Sequence, residues 1–162
     1  MNQPIQEEIL SPQEIKVAMK NELPKGASLA ITTHNDLLKS INAMEDHLDA
    51  LTPFQIAKLE HYYNRAEREA WKIAGYYKSQ YQFYFGRAST ERGQSYVYER
   101  ETNKRAINDS NYASRIVEGI NLEKSGIYEG YYVTWKGIAV SYQGMQNTLK
   151  DMIKAIAKEG GE

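Results

Sequence analysis

Toward the C-terminus the apolar positions repeat with strict spacing. Tyr128, Tyr131, Trp135, Ile138, Tyr142, Met145, Leu149, Met152 and Ile156 step by three and four in alternation, which is the a/d seam of a long helix. The spacing predicts a helix from about Tyr128 to Ile156. A second pattern runs beside the first. Gly130, Thr134, Gly137, Ser141, Gly144 and Thr148 also step by four and three, and every one is small. At 100° per residue the small stripe is centred roughly 110° around the helix from the bulky one. Three glycines inside one helix cost about 2–3 kcal/mol in propensity. Close approach of a neighbouring backbone would offset that cost.

Two arrangements supply such a neighbour. In the first, the bulky ridge of one copy fills the small-residue groove of the next. Contacts of that kind are heterologous and, repeated with rotation, close into a ring. On this reading Tyr128, Gly130, Tyr131, Trp135, Gly137, Ile138, Tyr142, Gly144, Met145, Leu149, Met152 and Ile156 form the oligomerisation surface of a cyclic homo-oligomer. In the second, the groove is filled within the chain by an upstream helix.

Upstream, the pattern is helical throughout. Ser11-Pro12-Gln13-Glu14 is a capping box with proline at the first helical position, and Pro24-Lys25-Gly26 is expected to end the short helix it starts. Leu37, Leu38, Ile41, Met44, Leu48 and Leu51 predict a helix over about Asn35 to Leu51. Thr52-Pro53-Phe54-Gln55 is a second capping box, opening a long helix from about Pro53 to Tyr84 that tolerates Gly75. Gly86 to Gln94 reads as a polar, glycine-bounded loop. Beyond it Tyr112, Ile116 and Ile120 suggest a helix ending near Gly119 and Gly126, and Tyr96-Val97-Tyr98 is compatible with a short strand. The expected fold is mainly α: long helices packed in a bundle, with an N-terminal helical segment over 1–52 and a second helical domain over 53–162 that carries the oligomerisation helix.

Composition sharpens this picture in two ways. The chain has 13 tyrosines against 3 phenylalanines, and a net charge of −1 that hides a segregation. Residues 1–53 hold 4 Lys against 8 Asp and Glu, whereas residues 72–105 hold 7 Lys and Arg against 3 Glu. A basic middle points to a localised anionic partner. The absence of cysteine removes thiol chemistry and fits a reducing cytoplasm. No apolar run approaches the roughly 20 residues that cross a bilayer, so no membrane partner is expected. The N-terminus has neither a basic n-region nor an apolar h-region, and no signal peptide is expected.

The basic middle is also the aromatic middle. Trp71 to Arg87 interleaves Lys72 and Lys78 with Tyr76, Tyr77, Tyr81, Phe83, Tyr84 and Phe85, and Arg92, Arg100, Lys104 and Arg105 follow. Single strands require positive charge for phosphates and aromatic faces for unstacked bases, each stack contributing roughly 1–3 kcal/mol. Lys72, Lys78, Tyr81, Tyr84, Gly86, Arg87, Arg92, Arg100, Lys104 and Arg105 are therefore the candidate DNA-binding residues. The competing reading places the aromatics in a helix core and the lysines on its solvated face. No catalytic, metal or cofactor site is expected. His34, His47 and His61 lie 13 and 14 residues apart and match no tight metal spacing. Gly86 and Gly93 are not followed by Gly-Lys-Ser/Thr, so there is no P-loop.

The stretch Tyr77-Lys78-Ser79-Gln80-Tyr81-Gln82-Phe83-Tyr84-Phe85-Gly86-Arg87 resembles the basic, Tyr-Tyr-x-Gly-Arg-ending segment of the T4-type phage UvsY family. The layout from Tyr98 through Asn108-Asp109 to Gln146-Asn147-Thr148-Leu149-Lys150-Asp151-Met152 is similar to that family's C-terminal helices. The resemblance covers about residues 66–153, and residues 1–50 are longer than the family's usual N-terminal part. It implies a non-enzymatic recombination mediator, located in the host cytoplasm. Such proteins form ring-like homo-oligomers, bind single-stranded DNA, and help load a RecA-like recombinase onto DNA covered by single-strand-binding protein. By position, Lys78 and Arg87 match basic members of the family's DNA-binding segment, while Gln80 stands where the family has a basic residue. The alternative is a helical oligomeric scaffold or chaperone that binds other proteins.

Overall fold

The computed structural model describes residues 25–159. They form three helices: α1 (Lys25–Glu45), α2 (Pro53–Glu101) and α3 (Ile107–Glu159), with a 3-10 turn at Leu48–Ala50 between the first two. The mainly α expectation holds. The Ser11 capping box lies outside the described residues.

The boundaries follow from local chemistry. At the start of α2 the Thr52 N–H donates to Gln55 Oε1 at 2.8 Å, and the Gln55 N–H donates to Thr52 Oγ1 at 3.3 Å. This reciprocal pair satisfies two of the helix's orphan donors, with Pro53 at a position that needs none. The far end of α2 closes with Lys104 at φ 52°, a left-handed residue of the kind that stops helices. Around it the Thr102 and Asn103 amides bond Tyr98 O, and the Arg105 amide bonds Glu99 O.

The short helix expected to end at Pro24-Lys25-Gly26 lies outside the described residues, and α1 itself begins at Lys25. Four expectations are corrected. Helix α2 does not stop near Tyr84 but runs on to Glu101, so Gly86–Gln94 is helix rather than loop and Tyr96–Tyr98 is not a strand. Helix α3 is unbroken at Gly119 and Gly126 and begins at Ile107, about twenty residues before Tyr128. Cooperativity explains the last two. Once a long helix is nucleated, extending it past a glycine costs about 1 kcal/mol, which packing along the rest of the helix offsets. Polar residues do not end a helix when their side chains find partners, as those of Arg87, Thr90, Glu91 and Arg92 do.

The described residues divide into two compact units, one of 25–77 with 130–159 and one of 78–129. The position 52/53 is not a boundary between them, because α1 and the start of α2 share one core. In that three-helix unit Leu37 and Ile41 of α1, Ile56, Leu59, Tyr63 and Ala66 of α2, and Leu149 of α3 form a buried cluster. Tyr142, Met145, Met152 and Ile156 pack against it. Polar side chains fix the register. The Tyr63 hydroxyl donates to the Glu45 carboxylate, and Gln146 Nε2 donates to Glu67 Oε2 at 2.7 Å. His34 is buried, with its Nε2 2.9 Å from the Tyr142 hydroxyl and its ring edge-on to Trp135 at 5.0 Å.

The bulky ridge of α3 is thus the seam that faces the chain's own core. This corrects the expectation that it fills the groove of another copy: Tyr142, Met145, Leu149, Met152 and Ile156 are already engaged by α1 and α2. The intramolecular alternative is corrected as well, since α2 meets the ridge and not the groove. Gly130, Thr134, Gly137, Ser141, Gly144 and Thr148 are all exposed, and a Cβ added at any of the three glycines would meet nothing within 4 Å.

Candidate nucleic-acid interface

The two-helix unit, residues 78–129, pairs the second half of α2 with the first half of α3. Its seam is polar. Ser110, Ser114, Asn121 and Ser125 of α3 are buried there, and Ser114 and Asn121 stand in heptad register with Trp135, Tyr142 and Leu149 of the three-helix unit. Each is satisfied, as burial without a partner would be costly. Ser125 Oγ donates to the Tyr81 carbonyl at 3.1 Å, and Asn121 Nδ2 donates to Glu91 Oε2 at 2.6 Å.

Two of the candidate arginines are bound into this seam. Arg92 Nη1 donates to both carboxylate oxygens of Glu118, at 3.0 and 3.2 Å. Arg87 donates to Glu91 one turn along the same helix. Burial acts to raise the Glu91 carboxyl, but hydrogen bonds from Asn121 and Arg87, with the Arg87 and Lys124 charges, outweigh it and hold the group below its ordinary pKa. A polar stretch that looked like a loop in sequence is helical because its side chains are answered across and along the helix pair.

The aromatics divide between the two readings. Tyr84 is packed: its ring stacks on buried Tyr128 at 5.4 Å and 7°, with Lys124 Nζ 5.5 Å from its centroid. The half-buried ring is thus engaged in the seam. In the other unit Tyr77 stacks on Tyr131 at 5.0 Å. Phe83 and Phe85, by contrast, are 54% and 61% exposed, and Tyr81 lies half-buried beside Phe85 at 6.4 Å. The Arg87 guanidinium sits 5.5 Å from the Phe83 centroid, within cation–π range.

The candidate residues do not share one face. At 100° per residue Lys78, Tyr81, Phe85 and Arg92 fall within about 60° of one another, whereas Arg87 is about 180° from Lys78 and Gly86 about 80°. The unit thus offers two small basic–aromatic faces, Lys78/Tyr81/Phe85/Arg92 and Phe83/Arg87. Beside the first lies a groove of about 390 Å3 whose walls include Arg92, Tyr96, Asn111 and Glu118. Arg100, Lys104 and Arg105 gather at the α2–α3 turn, where Arg100 donates to the Arg105 carbonyl at 2.6 Å and Arg105 pairs with Glu99 at 3.0 Å. Lys72 belongs to the three-helix unit and pairs with Glu69 at 2.7 Å. Phe83 and Phe85 are the residues that sequence reasoning undervalued. For Phe85 a signal existed, since it stands one heptad after Lys78 and one before Arg92.

On the outward face of α3, Val133 and Val140 are 59% and 50% exposed and interleave with Gly130, Gly137 and Gly144 at spacings of three and four. Among the described residues no group of three His, Asp or Glu side chains is placed to hold a metal ion, and no helix is long and apolar enough to cross a membrane. Compared with known proteins, the chain matches no family model, no curated protein and no solved structure.

Proposed function

We propose that this protein is a non-catalytic, single-stranded-DNA-binding recombination mediator of the UvsY kind. It would act as a cyclic homo-oligomer that helps load a RecA-like recombinase onto DNA covered by single-strand-binding protein. The observation that carries the reading is two solvent-facing rings, each with basic residues on its own face of α2: Phe85 with Lys78 and Arg92, and Phe83 with Arg87. Exposed aromatic faces beside positive charge are what unstacked bases on a charged backbone use. The resemblance of residues 77–87 to the family's DNA-binding segment points the same way. Self-association then uses the outward face of α3, Gly130 to Thr148 with Val133 and Val140, rather than the ridge. Assembly would place many copies of the Phe83–Arg92 segment together, so that weak individual contacts add.

Fluorescence anisotropy of labelled oligo-dT across a salt series tests the DNA reading. Binding that weakens with salt is expected, and Phe83→Ala with Phe85→Ala should weaken it by at least tenfold, from about 1–3 kcal/mol per stacked base. No binding at low salt by the assembled protein would end this reading. Light scattering tests assembly: Gly137→Leu should dissociate the oligomer without unfolding the chain.

The second reading is a helical scaffold that binds other proteins. The ion-paired state of Arg87 and Arg92 and the packing of Tyr84 favour it. An oligomer indifferent to oligo-dT would select it.

A further inference from the structure

Arg92 and Glu118 face each other across the groove beside the two-helix seam. Among the described residues that line this space of about 390 Å3, these two alone are charged. The guanidinium Nη1 reaches both oxygens of the carboxylate, at 3.0 and 3.2 Å. A phosphodiester presents the same thing to an arginine, a pair of equivalent anionic oxygens. Ser89, Tyr96 and Asn111 add neutral hydroxyl and amide groups to the walls. Arg92 also shares its face of α2 with Lys78 and the exposed ring of Phe85.

We propose that the groove is a binding site for one phosphodiester of a single strand, and that the Glu118 carboxylate is its resident surrogate, setting how tightly the strand is held. The assignment rests on the strand-binding reading above. The pair keeps solvent access, with side chains 41% and 26% exposed, and a pair of that kind is weakly held in water. An incoming phosphate exchanges one anion for another, so the guanidinium is never left without a partner. The displaced carboxylate stays within the groove's field and repels the phosphate. Glu118 thereby lowers the affinity that Arg92 alone would give, and keeps binding readily reversible.

The experiment is a two-residue cycle read by oligo-dT anisotropy over a salt series, with the full-length protein. Glu118→Gln keeps the shape and the hydrogen-bond acceptor but removes the charge. It should tighten binding about three- to tenfold at low salt and steepen the log–log salt slope by up to about 0.7, the contribution of one phosphate contact on a single strand. In an Arg92→Gln background the same Glu118→Gln change should do nothing. Wild-type affinity and slope for Glu118→Gln would overturn the groove assignment while leaving strand binding intact. So would an equal gain in the Arg92→Gln background, because it would mark a general charge effect. No binding by either wild type or Glu118→Gln would overturn the strand-binding reading itself and the groove with it. If Glu118→Gln melts below the working temperature, Arg92→Gln alone decides: it must weaken binding and flatten the slope by the part of that ~0.7 that Glu118 leaves to Arg92, and unchanged affinity and slope overturn the assignment.

Discussion

Gly137→Ala separates what α3 does within one chain from what it does between chains. Gly137 is exposed in mid-helix, and a Cβ built on it meets nothing within 4 Å. The methyl group therefore has no steric cost inside the subunit. What remains is helix propensity, which favours alanine over glycine by about 0.8–1.0 kcal/mol. For a chain of this size that gain raises Tm by about 2–4 °C. Gly130 and Gly144 have the same open surroundings and lie one heptad away on either side. The triple alanine variant should then gain about 3 kcal/mol, since sites roughly 10 Å apart add. The assay is thermal or urea unfolding of dilute, dissociated protein, followed by circular dichroism. Light scattering at high concentration reads the other side of the balance: if copies associate through this face, each added methyl pushes backbones apart and weakens assembly. Stability of the dissociated chain should rise while assembly falls. A dissociated Gly137→Ala chain less stable than wild type would refute the reasoning, because it would require a close intramolecular neighbour that the described residues do not supply.

Two further outcomes follow from single residues. Burial holds the His34 imidazole below its ordinary pKa of 6.5, so the unfolded chain takes up this proton at a higher pH than the folded one. Its contribution to stability is full above about pH 6.5 and declines as pH falls toward the folded value; urea melts between about pH 7.5 and 5 should show that decline, and His34→Gln, which cannot titrate, should flatten it. Lys104 holds φ 52° at the α2–α3 turn, a conformation that costs a side-chain-bearing residue about 1 kcal/mol relative to glycine. Lys104→Gly should raise the urea midpoint accordingly, and a lower midpoint would mean that the lysine side chain contributes more to the turn than its backbone costs.

Much of this protein was legible in its sequence. The Thr52-Pro53-Phe54-Gln55 box announced the start of α2, because a capping box is a local hydrogen-bond pattern that needs no tertiary partner. The bulky seam from Tyr128 to Ile156 announced a long amphipathic helix, because spacing alone places those residues on one face. Its direction was not legible. Periodicity says that a face exists and not what covers it, and only the packing of Leu37, Ile41, Leu59 and Tyr63 against Tyr142 and Leu149 turned that face inward. The small stripe was left outside by the same event. Tertiary contacts also decided Gly86–Gln94. Its glycines and polar side chains spell a loop in isolation, and pairing across the seam, Arg92 to Glu118 and Glu91 to Asn121, made it helix. The same separation divides the aromatics. Composition gathered Tyr77, Tyr81, Phe83, Tyr84 and Phe85 into one segment, but rotation along α2 stacked half-buried Tyr84 on Tyr128 and left Phe83 and Phe85 in solvent. Sequence fixes which side chains share a helical face, since that depends only on the 3.6-residue turn. Which face meets a neighbour depends on residues far away in the chain, and here that choice separates core from candidate site.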